Sequence, residues 1–143
     1  MNLSILKQHA KLFVAAALML TLTGIFATRT AFARLSANTI YPVGIVSANG
    51  RHVTLTGPVA VTAGERTELR VTVSQRSTGA VAEGVVFFTG TGQTNQWEVT
   101  AAVQGQAAFV AGPATAVALT RSTVRGQATD AHQWLVNITL VGE

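Results

Sequence analysis

The stretch Glu68-Leu69-Arg70-Val71-Thr72-Val73-Ser74-Gln75 alternates apolar and polar side chains without a break. A period of two puts Leu69, Val71 and Val73 on one face of an extended chain and Arg70, Thr72 and Ser74 on the other. Such a segment is a half-buried β-strand. It needs neighbours at its sides and a second layer beneath its oily face, and most of the remaining chain reads as supplying them.

Upstream, Thr39 to Val46 looks extended, with Pro42 marking an edge or a change of sheet because proline cannot donate to a ladder. Asn49-Gly50 is a turn, and His52 to Thr56 alternates with Val53 and Leu55 inward. Gly57-Pro58 breaks that strand before Val59-Ala60-Val61 resumes it. Downstream, Val85-Val86-Phe87-Phe88 is an uninterrupted run of β-formers and predicts a strand covered on both faces. Gln96 to Val103 puts Trp97, Val99, Ala101 and Val103 on one side, and Gln104-Gly105 predicts a tight return into a strand over Gln106 to Val110. Thr115 to Thr120 and Gln133 to Val141 are further strands, joined by a polar loop over Arg125 to Ala131.

Seven to eight short strands, with turn signals between them and no amphipathic helix after residue 33, define an all-β chain. The pattern predicts an antiparallel immunoglobulin-like β-sandwich, with a small closed barrel as the alternative.

The first 33 residues read differently. Lys7, His9 and Lys11 precede the apolar run Leu12 to Ala27, and Ala31-Phe32-Ala33 offers a small-x-small site. This is the pattern of a helical secretory signal segment, cleaved after Ala33, leaving a β-sandwich domain over residues 34–143. The competing reading is a retained anchor, since the run approaches the roughly 20 residues of a spanning helix. Removing residues 1–33 takes away Lys7, Lys11 and Arg29 and lowers the formal charge from +4 to +1. The remainder has seven arginines, six acids and no lysine, so it carries no basic footprint for nucleic acid. The chain also has no cysteine, which excludes disulfides and a lipidated cysteine alike.

Candidate chemistry is sparse. Asp130 and His132 sit two apart, the beginning of a Ser-His-Asp arrangement, but no G-x-S-x-G elbow accompanies them. No H-E-x-x-H pair or aspartate-rich loop marks a metal site. A catalytic carboxylate pair would have to come from Glu65, Glu68, Glu83, Glu98 and Asp130, but Glu65 falls in a turn and Glu68 and Glu98 on solvent-facing strand positions, where pairing with Arg66, Arg70 or Arg76 explains them more simply. Trp97 and Trp134 share parity with apolar neighbours and belong to the core, while Tyr41 is the ring placed for exposure. Asn137-Ile138-Thr139 matches a glycosylation acceptor but lies within a predicted strand. The sequence therefore assigns no catalytic, cofactor-binding or metal-ligating residue.

Three stretches, Val53-Thr54-Leu55-Thr56-Gly57, Gln96-Trp97-Glu98 and Val136-Asn137-Ile138-Thr139-Leu140-Val141, resemble small exported immunoglobulin-like domains of bacteria, over roughly residues 39–141. The resemblance implies a fold and an exported address, not an activity. Domains of that look often carry a cysteine pair, and the nearest positions here are Val61 and Gly90.

The reading that follows is a non-enzymatic module, secreted or associated with the cell envelope, with no cofactor. Its partner would be a protein or a surface glycan, not nucleic acid, with membrane contact only through an uncleaved leader. Binding would use the loops Ser47–Arg51, Gly90–Asn95 and Arg125–Ala131, or an exposed strand edge. The alternatives are a self-associating subunit built by edge pairing and, third, a hydrolase using Asp130 and His132. N-terminal sequencing of the exported chain checks the leader: the first residue read should be Arg34, and Met1 in its place would show a retained segment.

Overall fold

Seven strands account for nearly all of the region that the computed structural model describes, which is Leu35 and residues 39–143. The leader and its cleavage point lie outside those residues. The strands are β1 (Val43–Val46), β2 (His52–Ala60), β3 (Arg66–Gln75), β4 (Ala80–Thr89), β5 (Thr94–Gln104), β6 (Gly112–Val124) and β7 (Gln127–Gly142). They close into a barrel in the order β1-β2-β5-β4-β3-β6-β7.

The all-β expectation holds, but the open immunoglobulin-like sandwich does not. The strand that overturns it is β1. Ile45 and Val46 pair antiparallel with Thr54 and Val53 of β2. The same four-residue strand runs parallel to β7, Val43 opposite Thr139 through Val46 opposite Gly142, so the sheet is mixed and has joined ends. Alternation of apolar and polar residues is the same in a sandwich and in a small barrel, because each buries one face of every strand. Closure depends on which strands pair, and no local pattern encodes that.

The organising strand behaves as its sequence demands. Leu69, Val71 and Val73 are fully buried, between β4 on one side and β6 on the other. They share the core with Val53, Leu55, Val99 and Leu140, and the small inner residues Ala118 and Ala116 of β6 lie beside Val71 and Val73 in the ladder. One end of the interior is more polar. There the buried hydroxyls of Thr67 and Ser122 bond each other at 2.9 Å, and Thr129 Oγ1 donates to the buried Glu65 carboxylate at 3.0 Å.

Three segments depart from expectation for identifiable reasons. β2 runs through Gly57-Pro58 unbroken. Even-numbered positions of β2 face away from β5, as the Tyr41 N–H to Thr56 O bond of 2.9 Å shows. Pro58 therefore gives up no bond to β5, and its carbonyl accepts Trp97 Nε1–H at 3.3 Å. The polar loop over Arg125 to Ala131 is instead a two-residue hairpin, Arg125 and Gly126 both at positive φ (50° and 81°), with β7 beginning at Gln127. An arginine in that conformation costs about 1–2 kcal/mol and gives no turn signal.

The predicted hairpin into Gln106 to Val110 is absent, and residues 105–111 form a loop. Its backbone is satisfied by side chains instead of a ladder. Gln75 Nε2 donates to Val110 O and Gln75 Oε1 accepts from Val110 N, both at 2.9 Å, so one buried amide stands in for a strand partner. The Arg51 guanidinium donates to the carbonyls of Gly105, Gln106 and Ala107. Phe109 N–H donates to Gly50 O at 2.9 Å, which turns its ring into the core. Replacing Gln75 by alanine leaves the Val110 peptide groups without their partner in a partly buried place. The expected loss is on the order of 2 kcal/mol, read from the midpoint of urea unfolding.

Candidate functional surface

β4 is two-sided, and its outer side is exposed. Ala80 and Ala82 are buried and Val86 and Phe88 pack against the core, whereas Val85 and Phe87 point outward, Phe87 with 54% of its surface exposed. The expectation of a strand covered on both faces is thus overturned. Glu83 was the available signal, because it shares the parity of Val85 and Phe87 and an unpaired glutamate belongs in water. Among the described residues Phe87 also displaces Tyr41 as the most exposed ring, at 54% against 40%.

The outward residues of β4, β3, β6 and β7 assemble into one surface. Across the ladders Phe87 lies opposite Glu68, which lies opposite Arg121. The next row is Val85, Arg70 and Leu119. Leu135 of β7 extends the apolar part and is the most exposed large apolar residue described, at 62%. Arg66 places its guanidinium 5.6 Å from the centre of the Phe87 ring. Glu68 Oε1 accepts from Arg70 at 3.1 Å and its other oxygen is 3.9 Å from Arg121. Two arginines share one carboxylate and a third lies over the Phe87 ring, which leaves guanidinium donors unmatched by acids beside exposed aliphatic and aromatic groups. Two shallow clefts, about 370 and 170 Å³, open on this face, lined by Glu68, Arg70, Leu119 and Arg121 and by Arg66, Phe87 and Thr123.

The other candidate residues are placed elsewhere. Trp97 is buried, and Trp134 packs partly buried against the core, so neither ring forms a platform. Asp130 and His132 lie within β7 and not in a loop. The Asp130 carboxylate accepts from Leu35 N–H at 3.2 Å and from Ala131 N–H at 2.8 Å, and no hydrogen bond joins it to His132 among the described residues. Ser122, opposite Asp130 in the ladder, is buried and held by Thr67. Of the three proposed binding loops, Gly90–Asn95 and the Arg125 turn share one end of the barrel, while Ser47–Arg51 sits at the other. Asn49 Oδ1 accepts from Ser47 Oγ and Arg51 N–H, which commits that loop to structure.

A second, larger concavity of about 460 Å³ lies at the opposite end of the same strands, lined by Ser74, Arg76, Pro113 and Asn137 among others. Asn137 Oδ1 accepts from Thr115 Oγ1 at 3.4 Å across the β6–β7 ladder. No protein-family model matches this chain, and no curated protein matches it. The surface must be judged on its own chemistry.

The two kinds of aromatic residue separate cleanly by stability. Phe87→Ser should change the unfolding free energy by less than about 1 kcal/mol, because more than half of its surface is already exposed and no core contact is lost. Trp97→Ala should cost about 3–5 kcal/mol, both read by urea denaturation.

Proposed function

We propose that this chain is an exported, non-enzymatic β domain, secreted or held at the cell envelope, that binds an acidic polypeptide on the outer face of β4, β3 and β6. The observation that carries the reading is the exposed Phe87 under Arg66, continuous with Val85 and Leu119 and flanked by Arg70 and Arg121. Exposed apolar patches rimmed by polar groups mark interaction surfaces. Arginine and aromatic residues are the types that dominate binding energy at such surfaces, and arginine presents paired donors that match a carboxylate. The leader pattern of residues 1–33 supports the exported address.

The same chemistry favours a polypeptide over a glycan. Sugar recognition relies on flat exposed rings, but both tryptophans are turned inward and the Arg66 guanidinium lies over the Phe87 ring. An acidic chain with apolar residues between its carboxylates meets both the arginines and the aliphatic groups.

The test uses two labelled synthetic peptides, one alternating glutamate with phenylalanine and the other alternating lysine with phenylalanine, titrated by fluorescence anisotropy. The glutamate peptide should bind, weaken as salt rises, and lose at least tenfold in affinity to Arg121→Glu. Equal binding of the lysine peptide, or an unaltered affinity in Arg121→Glu, would overturn the proposal. So would turnover of an ester or glycoside substrate that disappears in His132→Ala.

A further inference from the structure

The barrel is incompletely zipped between β4 and β5. Only Val81, Ala82 and Glu83 of β4 pair with β5, opposite Gln104, Val103 and Ala102. Beyond that point the strands part, and the reason is visible at Gly84. A Cβ on Gly84 would lie 2.5 Å from Val99 Cγ1 and 2.9 Å from Thr100 O, so β5 passes across the inner side of β4 instead of continuing beside it. A cleft of about 290 Å³, lined by Val59, Val86, Phe88 and Trp97 with a polar rim, opens between the two.

Which backbone groups this leaves unpaired follows from two hydrogen bonds. Gly90 N–H donates to Glu65 O at 2.8 Å, so even-numbered positions of β4 face β3 and odd-numbered ones face the gap. Val103 N–H donates to Arg51 O at 3.0 Å, so odd-numbered positions of β5 face β2 and even-numbered ones face the gap. Val85, Phe87 and Thr89 on one lip, and Gln96, Glu98 and Thr100 on the other, therefore present N–H and C=O groups without a ladder partner among the described residues. All six have exposed side chains. Unpaired strand edges invite another strand, and neither lip carries a lysine or proline to deter one.

We infer that the β4 edge pairs with the same edge of a second copy, antiparallel about a two-fold axis at Phe87. The charges on the two lips choose between them. Residues 85–89 are Val, Val, Phe, Phe and Thr, uncharged and all favourable in strands, so the edge complements itself. Pairing the β5 lip with itself about its middle free position would set Glu98 against Glu98, which repels. The remaining long edge, on β7, already carries the incoming chain at both ends, through Leu35 N–H on Asp130 and Thr139 N–H on Pro42 O.

The register follows from the free positions. Centring on Phe87 sets Val85 opposite Thr89 of the second copy, Phe87 opposite Phe87, and Thr89 opposite Val85, which uses every free group on this lip. Other centres leave at least one of them unpaired. No like charges meet in this register: Glu83 falls opposite Thr91 of the second copy. The connection after β4 leaves room, because Gly90 and Gly92 are drawn by hydrogen bonds toward Glu65 and Val61. Pairing merges the two outer faces and sets two exposed Phe87 rings side by side, an arrangement aromatic pairs favour. The inference does not depend on the acidic-peptide reading, since it concerns the protein alone.

Sedimentation velocity on the protein as exported should show a concentration-dependent species of twice the monomer mass. Phe87→Pro should abolish it, because the lost N–H faces the gap and the β3 ladder keeps its bonds. Should that variant fold poorly, Val85→Lys serves the same purpose on an outward-facing side chain that is 47% exposed. Crosslinking then tests the register in a chain with no native cysteine. Under mild oxidation Phe87→Cys should form a disulfide-linked dimer, its Cα atoms falling at the roughly 5.5 Å of opposed bonded pairs, while the equally exposed Leu135→Cys stays monomeric. A monomer at every concentration, or crosslinking of Leu135→Cys as fast as Phe87→Cys, would overturn the inference. Either outcome leaves the peptide titration with Arg121→Glu to be judged separately.

Discussion

Closure of the sheet rests on a strand of four residues. β2 and β7 are separated by most of the chain, and it is Val43–Val46 that pairs with both, two residues on one side and four on the other. So few backbone hydrogen bonds contribute little net stability, since each replaces one made to water. The strand is held by what lies under it. Val46 is buried among Val53, Leu55 and Leu140, and Ile40 just upstream is 2% exposed. The bond from Tyr41 N–H to Thr56 O and the one from Thr139 N–H to Pro42 O prolong the same bridge beyond the strand itself. Packing fixes β1, and β1 fixes the topology.

The opposite join is made in another way. Between β4 and β5 the ladder gives out at Gly84, and beyond it Val86 and Phe88 line a cleft together with Val59 and Trp97. β4 thus serves as wall on its inner side and as surface on its outer side, over the same few residues. The exposed half of that strand is the most apolar part of a face otherwise set by Arg66, Glu68, Arg70 and Arg121. The proposed binding face and the incomplete join to β5 thus meet on one strand.

Local pattern revealed the strands and much of the core. β3 is legible from Glu68 to Ser74, since each of its apolar positions there alternates with a polar one, and the inward place of Trp97 is legible on parity. What pattern could not carry was pairing. Gln104-Gly105 looks like a hairpin turn, yet β5 turns away there and finds β2 and β4, while its following segment is held by Gln75 and Arg51 from elsewhere in the chain. Gln75 itself reads as an ordinary polar strand end, and nothing nearby announces that its amide is buried. The run Val85 to Phe88 misleads for the converse reason: it is hydrophobic throughout but only half turned inward, and the parity shared with Glu83 carries the better information.

The fold is assembled without a thiol at any point. Its two joins depend on main-chain pairing and apolar contact, and the buried hydrogen bonds of Gln75 and Thr67 involve only amides and hydroxyls. Redox poise consequently has no lever on its stability: reductant or oxidant leaves every contact in the barrel chemically unchanged. A protein built this way folds by one set of rules on either side of a membrane, and needs no oxidase or isomerase to finish it.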